Sequence, residues 1–154
     1  MTASEDKFKD VLKKLNLKID ITKFEESTKT SQQAADVLKT SLGQIGKSIV
    51  FKTKSGKFVL VITSGANRVN EKTIEKELND SFVKVDGNEI KSYIGYPIGG
   101  IPPFGHDNKV IIFIDEDLKQ FDKIFCAGGT PNTIFQITPQ QISEITRGKW
   151  INIH

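Results

Sequence analysis

The sequence predicts an α+β domain, on three observations. Apolar runs of strand length and apolar stripes of helical spacing succeed one another without a regular strand–helix–strand rhythm. Two of the runs, residues 49–51 and 58–62, are separated by a short turn containing Gly56 and make a hairpin. Two glycine-rich loops break the pattern, residues 95–106 and 127–132, and the first holds four glycines and three prolines. With 154 residues the expectation is a single domain, 1–154, large enough to bury a core without staples.

Composition narrows the class. Hydrophobic residues at 37% and charged residues at 27% describe a globular chain rather than a disordered one. A formal net charge of +3 permits an anionic partner without being a strong nucleic-acid footprint. Cys126, the one cysteine, excludes an internal disulfide and a multi-thiolate metal site. Residues 1–9 are polar and lack the apolar core of a signal peptide, and no apolar run reaches the length of a membrane span. A cytoplasmic protein without membrane contact is expected, as a monomer or a weak dimer.

Taken in order, Phe8, Val11, Leu12 and Leu15 recur at helical spacing, with Ser4 as a cap and Glu5 and Asp6 at the positive end. Residues 19–24 alternate weakly and suit an edge strand. Thr30 and Gln33 form a capping box that opens a helix bearing Ala34, Ala35, Val37, Leu38 and Leu42. Gly46-Lys47-Ser48 leads into the strand 49–51 and places Lys47 at its mouth. Residues 58–62 are apolar throughout and suit a central strand. Asn70 caps a helix that buries Ile74 and Leu78. Residues 82–85 are strand-like, and Asp86 with Glu89 caps a helix ending near Gly95. Residues 110–114 form a buried strand. The acids Asp115, Glu116 and Asp117 suit a helix start better than a metal site, because nothing nearby supplies a cation loop. Residues 123–126 and 133–137 are strands. Thr138 caps the next helix, with Pro139 in its first position, and residues 150–153 form a closing strand or lie on the surface.

The chemistry available is narrow. Gly46-Lys47-Ser48 has only the tail of a phosphate-loop signature and precedes its strand, and residues 95–100 lack dinucleotide spacing. His106 and His154 are the only imidazoles, which leaves little for a metal hydrolase. Cys126, in an apolar strand, reads as a buried small hydrophobe. What remains is an enzyme or binding module whose active groups are mostly backbone N–H groups, presented by loops whose glycines and prolines hold unusual main-chain shapes. Several side chains keep two readings at this point. Lys47 is a surface ammonium or a point charge for a phosphate or carbonyl. Ser27 and Thr28 form turns or face a ligand. His106 orients its loop or touches the ligand. Arg68 contacts a phosphate or pairs with a carboxylate.

Together the motifs resemble the YbaK/EbsC family of aminoacyl-tRNA deacylases, related to the editing domain of bacterial prolyl-tRNA synthetase. The resemblance runs from about Phe24 to Trp150. It rests on Gly46-Lys47-Ser48-Ile49-Val50-Phe51, on Gly99-Gly100-Ile101-Pro102-Pro103-Phe104-Gly105-His106, and on Ala127-Gly128-Gly129-Thr130-Pro131-Asn132-Thr133. Thr138-Pro139, Ser27-Thr28 with Thr30, Ala34-Ala35, Ser64-Gly65 and residues 115–118 add to it. It implies a mixed, largely antiparallel, barrel-like sheet with surrounding helices. It also implies hydrolysis of the ester joining a wrong, small amino acid to the 3′-terminal adenosine of tRNA, in trans and without cofactor or metal. Lys47, Gly99, Gly100, Gly105 and His106 would be the catalytic set. Ser27, Thr28, Thr30, Ile101, Pro102, Pro103, Phe104, Gly128, Gly129, Thr130 and Pro131 would line the substrate site. Partners would be the aminoacyl-tRNA acceptor end and an aminoacyl-tRNA synthetase, with Lys52, Lys54, Lys57 and Arg68 as a basic rim for RNA. The alternative is a module that binds the charged tRNA end or a synthetase without turnover.

Overall fold

The computed structural model describes residues 3–154, so the reading of Met1 and Thr2 lies outside the described residues. One eight-stranded sheet organises the described residues. Its strands are β1 (Ile21–Lys23), β2 (Ile45–Thr53), β3 (Phe58–Ser64), β4 (Phe82–Val83), β5 (Ile111–Asp115), β6 (Ile124–Ala127), β7 (Thr133–Ile137) and β8 (Lys149–Ile151). The spatial order is β1-β7-β6-β2-β3-β5-β8, with β4 pairing β2 off this path. The β1–β7, β2–β3, β2–β4 and β6–β7 pairs are antiparallel, and β2–β6, β3–β5 and β5–β8 are parallel. Among the described residues five α-helices surround it: α1 (Ala3–Lys14), α2 (Ser31–Leu38), α3 (Glu71–Leu78), α4 (Gly87–Ile94) and α5 (Pro139–Thr146). The mixed, largely antiparallel α+β class is the one expected.

Strand β3 lies in the middle of the sheet because every one of its side chains is apolar or small enough to bury, and all seven are buried. It hairpins back from β2 through a turn closed by the Thr53 N–H donating to Lys57 O at 2.8 Å, with Gly56 at φ +92°. The main core gathers Phe8 and Leu12 of α1, Leu60 and Ile62 of β3, Ile114 of β5, Ile124 of β6 and Phe135 of β7. Ile21 of β1 and Trp150 of β8 pack against the same cluster, so side chains from both ends of the strand path meet around one core. Burying a side chain such as Phe8 or Leu60 contributes roughly 1.5–3 kcal/mol, which is what holds α1 on the sheet. A second cluster of Val59, Val61, Ile74 and Phe113 holds α3, and a third of Ala34, Ala35, Ile45 and Ile134 holds α2.

Local signals are realised where they are self-contained. Thr30 with Gln33 and Thr138 with Gln141 form complete capping boxes. Asp115 caps a short 3-10 helix, Glu116–Gln120, by accepting from the Asp117 N–H, and it also accepts from the Ser64 N–H at 2.9 Å and from Asn67 at 2.9 Å. The acidic triplet is therefore a helix start, as its composition suggested.

Other expectations need correction. Strand β2 starts at Ile45 rather than Ile49, so Lys47 sits inside the strand and not at its mouth. Pairing with β3 on one side and β6 on the other overrides the loop preference of Gly46. Leu15 falls beyond α1 and is 43% exposed, and Leu42 falls beyond α2, in a separate 3-10 turn after the left-handed Lys39 ends the helix. Ser4 lies within α1 rather than before it. Asn70 occupies the N-cap position of α3 without a side-chain cap bond. Asp86 caps α4, but the Glu89 carboxylate reaches Lys52 instead of closing the box.

Candidate active site

The site begins where the sheet comes apart. Strand β2 pairs with β6 only at Ile45↔Phe125 and Gly46↔Cys126, and with β4 only at Lys52↔Val83 and Thr53↔Phe82. Between these pairings no described strand lies along that edge of β2. A cavity of about 250 Å³ fills the gap. Its inner wall is apolar, with Ala34, Ile45, Ile101, Cys126 and Ile134, all buried. Lys29, Thr30 and Lys47 form its exposed rim. Lys47 also borders a neighbouring groove that contains Ser31, Ile49, Asn67 and Arg68. The two hollows therefore meet at Ser31, Lys47 and Ile49. No carboxylate or imidazole lines the 250 Å³ cavity among the described residues. The Cys126 thiol is held neutral, because burial pushes its pKa far up.

The first glycine loop supplies one wall. Helix α4 ends at Gly95, whose φ of +93° reverses the chain. The Gly100 N–H then donates to Pro97 O at 2.9 Å, closing a turn with Gly99 at φ +89° in its third position. That left-handed position favours glycine. Gly99 and Ile101 face the cavity. Gly100 does not, and its N–H, expected to receive a carbonyl oxygen, is already engaged. A Cβ on Gly100 would lie 2.6 Å from the Thr130 Cα and carbonyl carbon. The two glycine loops thus press directly on each other here, and the cavity lies beside them rather than between them.

The rest of the loop faces the core. A Cβ on Gly105 would meet Val11 of α1 at 2.7 Å. Phe104 packs against Phe8, with ring centroids 5.4 Å apart. Pro102 and Pro103 are buried. His106 Nε2 donates to Pro102 O at 2.7 Å. Gly105, His106, Pro102, Pro103 and Phe104 all lie outside the cavity lining, and Phe104 and Gly105 brace the loop against α1.

The second loop is tied to itself and to its neighbours. The Thr130 and Thr133 hydroxyls lie 2.8 Å apart, and the Gly128 N–H donates to Thr133 O. Gly129, at φ +106°, approaches Ser4 O, and Gly128 approaches Ile21. Pro131 O accepts both the N–H and the hydroxyl of Thr28, at 2.7 and 3.1 Å. Gly128, Gly129, Thr130 and Pro131 therefore support the wall from behind, and Ala127 before them lines the cavity. Of the three early hydroxyl residues, Thr28 and Thr30 reach the lining while Ser27 is exposed and bonds within its turn. Of the proposed basic rim, Arg68 lies in the neighbouring groove and Lys52 is paired with Glu89. Lys54 and Lys57 lie at the β2–β3 turn, outside both hollows.

Sequence reasoning missed Ser48 and Val50, which line the cavity. Alternation across residues 45–53 was the available signal, and Gly46 masked it. The Ser48 Oγ is buried and has no hydrogen-bond partner among the described residues.

The two histidines are expected to titrate on opposite sides of the ordinary imidazole value. Burial lowers the His106 pKa, and a hydrogen bond to Asp117 raises that of His154. The contribution of His106 to stability is complete above the unfolded imidazole pKa and is lost as pH falls through its lower folded value. That of His154 is complete below the unfolded value and is lost as pH rises through its higher folded one. An NMR titration with His106→Gln and His154→Gln variants for assignment checks both signs; coincident curves would contradict them.

The model of the aminoacyl-tRNA editing domain matches residues 25–145 of the chain. The chain belongs to that family. Among relatives of this editing domain, it is 31% identical over 139 residues to the uncharacterized protein YwhH of Bacillus subtilis, covering 90% of this chain and 88% of YwhH. It is 34% identical over 102 residues to the proline–tRNA ligase of Kosmotoga olearia, covering 66% of this chain but only 17% of the ligase. A solved structure described as a candidate trans-editing enzyme for prolyl tRNA synthetase superposes with a TM-score of 0.92 at 27% identity, covering 99% of this chain and 98% of that one. A scaffold used for epitope grafting superposes with a TM-score of 0.93 at 25% identity, covering 99% of this chain and 98% of the scaffold. No helix among the described residues of this editing domain is long and apolar enough to cross a membrane.

Proposed function

We infer that the protein hydrolyses, in trans, the ester of tRNA carrying a wrong, small amino acid. The observation that carries this is the meeting of three things at one cavity: Lys47, the Gly99–Ile101 corner of the first glycine loop, and an apolar wall. An aminoacyl ester is already activated, so a positioned water suffices and a strong protein base is not required. This agrees with a lining that holds no carboxylate or imidazole among the described residues. By family resemblance the terminal ribose hydroxyl helps to place that water.

A cavity of about 250 Å³ falls below the roughly 300–1,000 Å³ of sites that enclose drug-sized ligands. It takes the aminoacyl end and leaves the nucleotide outside, in the groove where Lys47 and Arg68 stand. Size selection then works by overlap against larger side chains. Small ones are separated poorly, since one methylene is worth about 1–3 kcal/mol.

The test is a panel of mischarged tRNAs assayed for release of the amino acid. Hydrolysis confined to small amino acids is expected; no hydrolysis of any member would leave a module that only binds. A further expectation concerns salt. Neutralising fewer phosphates flattens the dependence of affinity on ionic strength, so Arg68→Ala should lower the slope of log Kd against log salt by about one contact's worth. An unchanged slope removes Arg68 from the RNA path.

A further inference from the structure

We propose that the open edge of β2 recognises the α-amino ester itself, taking the aminoacyl group as one residue of an added strand. This deepens the deacylase reading and rests on it. The register shows which backbone groups are available. Ile45 O accepts from the Gly65 N–H at 2.7 Å and the Thr53 N–H donates to Lys57 O at 2.8 Å, at the two ends of one antiparallel ladder. Hydrogen bonding alternates along such a ladder. Lys47, Ile49 and Phe51 therefore direct their N–H and C=O groups at β3, and Gly46, Ser48, Val50 and Lys52 direct theirs away.

Gly46 meets β6 and Lys52 meets β4. Ser48 and Val50 meet no backbone partner among the described residues. The next rung toward β6 would join the Ser48 N–H to the Ala127 carbonyl, and the pairing stops one position short of it. Ser48, Val50 and Ala127 all line the cavity. Main-chain groups left without protein partners cost free energy to the extent that burial keeps water from them.

An aminoacyl ester carries an ammonium donor and a carbonyl acceptor on the two sides of one α-carbon, with the spacing of a peptide residue. Set against Ser48, its ammonium donates to the Ser48 carbonyl and its ester oxygen accepts from the Ser48 N–H. Any α-amino acid meets this edge equally, and an ester without the amino group does not.

The test uses amide-linked analogues that cannot be hydrolysed, 3′-deoxy-3′-(alanylamino)adenosine and its propionylamino counterpart, with binding followed by NMR on the whole chain. Loss of a charge-assisted hydrogen bond predicts about 10- to 100-fold weaker binding of the propionyl compound. In the free protein the Ser48 amide should exchange with solvent faster than those of Lys47 and Ile49, and the alanyl analogue should slow it at least about tenfold. Equal binding of the two compounds, binding of neither, or unaltered Ser48 exchange overturns the proposal. If mischarged tRNA is still hydrolysed in that event, the deacylase reading stands without it; if it is not, both fall.

Discussion

Replacing Lys47 by alanine is expected to lower kcat/KM for deacylation by about 10- to 100-fold, the loss of one hydrogen bond to a charged group, while the protein stays folded. The side chain is exposed on β2 and borders both the cavity and the Arg68 groove. Exposed substitutions of this kind move stability by about 0.5 kcal/mol or less, so the melting temperature should hardly change. The kinetic split identifies the role. A raised KM with kcat unchanged means that the ammonium holds the terminal nucleotide, and a lowered kcat means that it acts on the ester as charge develops. Lys47→Arg should restore part of the loss, since charge is kept but the compact geometry is not. A folded Lys47→Ala protein that cleaves at the wild-type rate would remove Lys47 from the site.

Gly100→Ala should be a strongly damaging small change in the loops. Its Cβ would lie 2.6 Å from main-chain atoms of Thr130, which have no rotamer to move away. Forcing a methyl into such a contact costs about 1–3 kcal/mol, or roughly 3–10 °C in melting temperature for a domain of this size. Separating the loops displaces cavity-lining residues beside the contact, Gly99 and Ile101 or Ala127, so activity should fall further than the loss of folded protein explains. Gly87→Ala is the comparison. There the added Cβ meets only the Ile98 Cδ1, at 3.3 Å, at the start of α4, and stability should hold or rise slightly. Equal melting temperatures for the two variants would show that the contact at Gly100 relaxes.

What could be read from the chain alone was what neighbours in sequence decide. The capping boxes at Thr30 and Thr138 need residues three positions apart and nothing else. The wholly apolar run of β3 announces a central strand because no face of it tolerates water. The beginning of β2 was hidden, since Gly46 looks like a loop residue until β3 and β6 are placed beside it. The glycines of the two loops were recognised, but not their separate purposes. Gly99 makes a turn at the cavity, Gly100 admits Thr130, and Gly105 admits Val11. Those purposes depend on which element lies opposite, and the partners are far away in sequence. The open edge of β2 was illegible for the same reason, being defined by where β6 stops.

The pairing of Ile21 with Phe135 has a consequence for how the protein is made. Strand β1 leaves the ribosome well before its only described neighbour, β7, which is synthesised more than a hundred residues later. Until then the nascent chain carries unpaired backbone, a state prone to self-association. Topologies that close through such distant contacts refold on the slower, millisecond-to-second side of single-domain behaviour. A stop codon placed before β7 would yield a polypeptide missing Ile134 from the cavity wall and leave β1 without its neighbour, which makes insolubility of such truncations the outcome to look for during expression.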